Sequence, residues 1–183
     1  IPLACAGIIA KVGMVFFSFV IGLSQGLQPI VSFNYGAKKY KRVRETYIRA
    51  EVIASAMCVI AFVCFQLFPR QIIGIFGEGS DAYFRFAERY LRIYMFCTFL
   101  NGIQPITSTF FTSIGKASRG IFLSLTRQII CLLPLIIIFP MLMGIDGVMY
   151  AGPVADTVAA ILSLLFISRE MKRLKALERN QPA

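Results

Sequence analysis

The sequence predicts an all-α fold, a polytopic membrane helix bundle of about five transmembrane helices. Of the 183 residues, 57% are hydrophobic, and the mean hydropathy is +0.73, whereas a soluble domain is roughly 45–50% apolar. The apolar residues fall into runs of about 20, the length that crosses a bilayer as a helix. Basic residues collect between these runs, as membrane topology requires. Both features indicate that lipid is the solvent of this chain.

Five apolar runs are long enough to be membrane spans. They cover residues 4–33, 48–68, 89–114, 120–142 and 147–168. We therefore predict a transmembrane bundle over residues 1–168 and a basic cytoplasmic tail over residues 169–183. The first and third runs exceed the minimum length, so their helices should be tilted or kinked. Because the chain begins almost at a membrane helix, we expect it to be a fragment without a signal peptide.

The connections between the spans alternate in charge, which predicts their orientation. Three basic segments follow the first, third and fifth spans, at residues 38–49, 116–119 and 169–179. In the other connections the arginines are partly balanced by acids, namely Glu78, Asp81 and Glu88. The positive-inside rule places the three basic segments in the cytoplasm. We therefore predict a multi-pass plasma-membrane protein whose first helix starts outside and whose C-terminus is cytoplasmic.

A short motif with a proline occurs in the first span and again in the third. The motif GLQPI around Pro29 returns as GIQPI around Pro105. A proline inside a membrane helix frees a carbonyl and bends the helix, which makes Pro29 and Pro105 hinge candidates. Glutamine is costly in hydrocarbon unless it has a partner or faces water, so Gln28 and Gln104 are candidates for a substrate cavity. Transporters commonly place substrate sites at internal repeats, and the alternative is a pair of structural kinks.

The first span has a polar face. Lys11, Ser18, Gln25 and Ser32 are spaced seven residues apart, about two helical turns, so they share one side of the helix. A polar stripe on an apolar helix should face a bundle interior or a water-filled cavity. Lys11, Ser18 and Gln25 are therefore cavity candidates. For Lys11, which lies nearer the outer end, the alternative is snorkelling to the interface.

The third span shows a second polar face. Its members recur at intervals of three or four residues and are Thr98, Asn101, Pro105, Ser108 and Thr112. Asn101, Gln104 and Ser108 are cavity candidates, because neutral amides and hydroxyls grip a polar or cationic solute without trapping it. The alternative is hydrogen bonding between helices, which is common in membrane bundles.

The last span contains an acid, Asp156. An aspartate at this depth either binds a cation or a proton or accepts hydrogen bonds from a neighbouring helix. Asp156 is therefore a candidate for ion coupling, although no second acid lies near it in sequence to support that role. In the fourth span, Arg127 is expected to snorkel to lipid phosphates as an anchor.

Composition argues against several other functions. The chain has no histidine, and its five cysteines lie in apolar runs without a C-x-x-C pair, so we expect no metal site and no enzyme. No basic face is interleaved with aromatic residues outside the spans, so we expect no nucleic-acid partner.

Four segments of the chain together resemble one family. The stretch from Gly22 to Val43, GLSQGLQPIVSFNYGAKKYKRV, resembles the eighth helix and following loop of the multidrug and toxic compound extrusion (MATE) transporters. Residues 101–117, 127–134 and 144–156 look like parts of the tenth, eleventh and twelfth helices of that family.

The resemblance implies twelve helices in two six-helix lobes around a central drug cavity. It implies export of small cationic drugs driven by inward flow of Na⁺ or H⁺, with no other cofactor. This chain would supply about five helices of the six-helix second lobe. Its partners would be the lipid bilayer, the cationic substrates and the missing N-terminal lobe of the same protein. In many members the coupling acids lie in the missing part, so the resemblance assigns the ion-coupling role to no residue of this chain.

Two alternatives remain at this point. A lipid-linked oligosaccharide flippase of the same superfamily would favour more cavity cations than Lys11 alone, because it must hold a pyrophosphate. The second alternative is a membrane scaffold or remnant without transport activity. Paired kinked helices with polar faces argue against it, because a scaffold does not require them.

Cysteine substitutions at Lys39, Lys172 and Asp146 test the predicted orientation. A membrane-impermeant thiol reagent should label positions 39 and 172 only from the cytoplasmic side and position 146 only from outside, because alternate connections lie on opposite sides. The unsubstituted protein serves as the control for its native cysteines. Labelling of positions 39 and 146 from the same side would contradict the span assignment.

Overall fold

The computed structural model describes residues 2–76 and 80–180, and this part of the chain is helical throughout, with no strand. The helices are α1 (Pro2–Gly36), α2 (Tyr40–Leu67), α3 (Pro69–Phe76), α4 (Asp81–Tyr94), α5 (Ile103–Ser113), α6 (Ala117–Leu125), α7 (Leu133–Met143) and α8 (Ile145–Arg179). A 3-10 turn, Thr98–Leu100, precedes α5, and a π-helical segment, Thr126–Leu132, joins α6 to α7. The all-α class is confirmed. Glu78, used above for the charge balance, lies outside the described residues.

Within the described residues, four stretches are long and apolar enough to cross a membrane. They are Cys5–Gly36, Tyr40–Leu67, Ala117–Met143 and Asp146–Arg179, and they correspond to the first, second, fourth and fifth predicted spans. Helices α1 and α8 each contain 35 residues, which is roughly 52 Å of helix. This exceeds the roughly 30 Å of hydrocarbon in a bilayer, so both helices tilt or extend beyond it.

The third predicted span is discontinuous, and the expectation of one helix over residues 89–114 is wrong. Helix α4 ends at Tyr94, and the chain passes through turns and the 3-10 segment before α5 begins at Ile103. Pro105 cannot donate a hydrogen bond to the Asn101 carbonyl, and its ring crowds the preceding turn. The chain accommodates the proline in the first turn of α5, where the N–H groups have no helical partner in any case. In contrast, Pro29 lies inside the unbroken helix α1.

The fourth span contains a second irregularity caused by a proline. Pro134 lies in the first turn of α7 and cannot donate to the carbonyl four residues before it. The preceding turn widens to the π form, in which the N–H of Leu133 donates to the Gln128 carbonyl five residues back. Single π turns of this kind occur frequently at functional sites, and this one carries Arg127.

The three basic segments predicted to share one side of the membrane lie at one end of the bundle, which we call the basic end. Arg44, near the start of α2, pairs with Glu178 of α8 at 2.6 Å. Glu170 of α8, 2% exposed, is paired with Lys116, Arg119 and Arg173. Helix α8 runs through residue 168 to Arg179, so the segment predicted as a tail begins as part of the packed bundle.

Two apolar cores hold the helices together. One lies towards the end opposite the basic end and joins the first half of α1 to α3, α4 and the start of α8, with Ile9, Tyr90 and Met149 among its members. The other lies towards the basic end and joins the second half of α1 to α2, α5 and α8, with Val31 and Phe110 among its members. The polar residues of the bundle interior lie between and beside these cores.

Gly120 allows a close approach of α6 to α5. A Cβ atom at this position would lie 2.5 Å from the Thr112 hydroxyl and 2.7 Å from the Ser108 carbonyl oxygen. The Ser108 hydroxyl donates to the Gly120 carbonyl at 2.7 Å. The two helices are therefore packed at a distance that only glycine permits.

We expect Gly120→Ala to lower the free energy of unfolding by roughly 1–3 kcal/mol, because the added methyl group forces α5 and α6 apart. Gly22→Ala is the matched control, since a Cβ there meets nothing within 4 Å and should stabilise α1 by up to about 1 kcal/mol. Thermal unfolding of both variants in detergent measures the difference. Equal midpoints for the two variants would rule out the close contact.

Candidate functional site

A cleft of about 730 Å³ opens between α1, α5 and the π-helical segment. Its polar wall is formed by Gln25 of α1, Gln104 and Ser108 of α5, and Arg127 and Gln128 of the π-helical segment. The rest of its lining is largely apolar and aromatic and includes Met14, Phe17 and Tyr94. A concave site with an apolar lining and a few convergent polar groups is typical of small-molecule binding.

The structure brings together three of the predicted cavity residues. Gln25, Gln104 and Ser108 line the cleft, and the hinge candidate Pro105 lies beside them. The remaining candidates do not line it: Lys11, Ser18 and Gln28 are exposed on α1, whereas Asn101 is buried. The hinge candidate Pro29 is also exposed on α1.

Some of these polar groups also bind the helices to one another. The Gln104 amide donates to the Leu123 carbonyl at 3.2 Å, and the Ser108 hydroxyl contacts that of Ser124 at 2.7 Å. Both contacts join α5 to α6, as the alternative of hydrogen bonding between helices predicts. The two side chains therefore combine a structural role with a place in the cleft wall.

The contact between α1 and α5 is likewise polar. Ser24 donates to the Pro105 carbonyl at 3.2 Å and pairs with the Thr109 hydroxyl. One turn from the end of α1, Ser32 donates to the Ser113 carbonyl at 3.0 Å. These bonds hold α5 against α1 along one edge of the cleft.

A buried ion pair lies at the inner side of the cleft. The Arg127 Nε atom lies 2.7 Å from Asp156 Oδ1, and the two side chains are 15% and 4% exposed. Asn101 lies beside the same carboxylate, and the Arg127 guanidinium lies 4.8 Å from the centre of the Phe17 ring. The expectation that Arg127 is a lipid anchor is therefore wrong, because a carboxylate inside the bundle binds it instead.

The ion pair makes the cleft electrically balanced. Removing one member of a buried pair leaves an uncompensated charge and commonly costs about 3–5 kcal/mol. The sequence shows both residues, but they are 29 positions apart. No periodicity in either span indicates that they meet.

The second span contains an acid that its sequence pattern does not single out. Glu51 lies in α2, and both oxygens of its carboxyl group are shielded from solvent without a hydrogen-bond partner among the described residues. A signal was present, since Glu51 falls three residues inside the predicted span of residues 48–68. Because basic residues immediately precede Glu51, its position in the sequence resembles the charged loop more than the span.

No cluster of three or more His, Cys, Asp or Glu side chains suited to a metal ion occurs within residues 2–76 and 80–180. The polar groups of the cleft are amides, hydroxyls and one compensated guanidinium, which suit an organic ligand.

Comparison with known proteins agrees with this architecture. The family model MatE matches residues 1–138. The multidrug export protein MepA of Staphylococcus saprophyticus is 26% identical over 151 residues, which are 81% of this chain and 32% of MepA. MepA of Staphylococcus haemolyticus is 25% identical over 158 residues, 85% of this chain and 34% of that protein. The chain thus spans about a third of the length of these curated relatives.

Solved structures show the same fold. The MATE multidrug transporter DinF-BH, solved with a bound dye, is 34% identical, with a TM-score of 0.79 over 87% of this chain and 37% of that one. An outward-facing MATE transporter of the MOP superfamily is 20% identical, with a TM-score of 0.86 over 94% of this chain and 39% of that one. Because the family model covers well over half of the sequence and the helices superimpose on these structures, the chain belongs to the MATE family of multidrug and toxic compound extrusion transporters.

Proposed function

We propose that this chain is part of a secondary active transporter that exports cationic drugs or toxic organic compounds in antiport with Na⁺ or H⁺. The observation that supports this most directly is the cleft between α1, α5 and the π-helical segment. The curated relatives are named multidrug export proteins, and DinF-BH has been solved with a dye. Because the chain spans a third of those relatives, the activity belongs to a larger protein.

The cleft has the size and chemistry that a drug requires. Its volume of about 730 Å³ falls within the roughly 300–1,000 Å³ common for ligand pockets. Phe17 and Tyr94 supply aromatic surface, and Gln25 offers a neutral amide. Asp156 cancels the charge of Arg127, so the wall does not repel a cation. A pyrophosphate would need uncompensated cations, and for this reason we favour drug export over the flippase alternative.

We propose that the missing N-terminal lobe faces the exposed side of α1. Lys11, Ser18 and Gln25, spaced seven residues apart, are exposed there in this chain. Polar side chains on a membrane helix are stable when they face a cavity or a partner, and a second lobe would provide both. The transported compound would then lie between the two lobes, with the basic end in the cytoplasm of a plasma-membrane protein.

Two further roles follow from the geometry. Asp156 is proposed to take part in ion coupling, because an ion that bound it would displace Arg127 and change the charge of the cleft. Pro29 and Pro105 are proposed as hinges, since Pro29 removes one hydrogen bond from α1 and Pro105 follows the break before α5, and alternating access concentrates its change in a few such positions.

Gln25→Leu in the complete transporter should lower export of a cationic dye by roughly fivefold, the effect of one lost hydrogen bond of about 1 kcal/mol. Gln28→Leu is the matched control, because it removes the same amide from the same helix outside the cleft lining. Transport in proteoliposomes at equal protein content measures both variants. Equal export by the two variants would count against the cleft as the binding site.

Asp156→Asn should weaken binding of a cationic dye, because it leaves Arg127 uncompensated. Two like charges about 10 Å apart repel by roughly 1.7 kcal/mol at an effective dielectric constant near 20, which is about tenfold or more in affinity. The double variant Arg127→Gln/Asp156→Asn should recover the lost affinity. Fluorescence titration of the dye, with a neutral substrate in parallel, measures the effect, and a double variant as weak as the single one would refute the charge argument.

A further inference from the structure

Glu51 is a carboxyl group inside the membrane-spanning part of α2. It lies about three turns from the start of the helix, at the beginning of the apolar part of α2 and two residues after the basic segment of residues 38–49. Both of its carboxyl oxygens are buried, and neither has a hydrogen-bond partner among the described residues. An ionised carboxylate without a partner is strongly disfavoured in a low-dielectric interior, where the group takes up a proton instead.

The surroundings of Glu51 connect it to the discontinuous third span. The hydroxyl groups of Tyr47 and Ser55, one turn before and after it, are its polar neighbours. The Tyr47 hydroxyl makes a 2.9 Å hydrogen bond with Thr107 of α5, and its ring packs against Phe110 at 4.9 Å between centres. Glu51 is therefore connected through Tyr47 to a contact between α2 and α5.

Within residues 2–76 and 80–180, the neighbouring helices bring no charge that would compensate an ionised Glu51. The titratable groups that sense its charge, Tyr47 and Cys58, are both on α2. The third span places Gly102, Thr107 and Phe110 against this part of α2, and all three are uncharged. The buried acids of α8, Asp156 and Glu170, are paired with basic groups elsewhere. The buried face of α1 has no charged side chain within its described residues.

We propose that Glu51 is a proton-binding site of this lobe, neutral while α2 packs against α5 and ionised when that contact opens to water. One proton is bound when the carboxylate becomes a carboxylic acid, and one is released to the aqueous phase when the contact opens. The charge of the site changes from −1 to 0 on binding. Its part in driving export rests on the proposed function, and it makes H⁺ the coupling ion.

The protonation of Glu51 is tested without transport, by infrared titration of the complete transporter in lipid. At pH 7 the wild-type protein should show the carbonyl band of a protonated, buried carboxyl group, and Glu51→Gln should remove that band. Glu45→Gln, which changes an exposed acid on the same helix, should leave it intact, and Glu51→Asp should retain it. A band that survives in a folded Glu51→Gln variant would overturn the proposal. If that variant does not fold, a Glu51→Asp spectrum without the band would overturn it.

Transport then tests the coupling role. Glu51→Gln should still exchange dye across the membrane down its own gradient but lose uptake driven by a pH gradient. Uptake driven by the pH gradient at the wild-type rate in this variant would overturn the coupling role. A wild-type protein that moves no drug at all, yet shows the infrared band, would refute the proposed function and leave the proton site standing.

Discussion

Hydrocarbon supplies no hydrogen bonds, so each polar group inside this bundle depends on a protein partner or on water in a cavity. The structure meets this constraint at two buried acids. Asp156 is bound by Arg127, with Asn101 beside it, and Glu170 is paired with three basic side chains at the basic end. Serine and threonine hydroxyls satisfy carbonyls along the contacts of α5 with α1 and α6. The helices are therefore held in register by polar contacts as much as by their apolar faces.

Irregular backbone at membrane depth is tolerated only where protein or a cavity surrounds it. Both irregular segments of this chain precede a proline, Pro105 in one case and Pro134 in the other. Pro105 itself lines the cleft, and the π-helical segment before Pro134 contributes Arg127 and Gln128 to it. The same residues that break regular helix geometry thus build the wall of the proposed binding site, and the breaks offer places where the lobe can change shape.

The charges of the bundle divide into three functional groups. Those at the basic end hold α8 against the connections from α1 and α5. The Arg127–Asp156 pair leaves the cleft neutral while keeping two ionisable groups close to a bound compound. Glu51 stands apart from both, because its carboxyl oxygens have no hydrogen-bond partner among the described residues and its nearest contacts lead to α5. The proposed proton site and the proposed drug site are therefore separate places in the lobe.

The sequence by itself determined the helical class, four of the spans and the grouping of the basic connections, because hydropathy and charge are properties of local runs. It also selected Gln25, Gln104 and Ser108, which line the cleft, because polar residues that recur on one side of an apolar helix should face a bundle interior or a cavity. The orientation that it predicts for the bundle stays a prediction. Only the tertiary structure decided that the third span is broken, that Lys11 and Gln28 lie outside the cleft, and that Arg127 meets Asp156. These features depend on which distant helices touch, and a one-dimensional pattern carries no information about that. Glu51 shows the same limit, because only the packing of the helices shows that its carboxyl oxygens are buried without a hydrogen bond among the described residues.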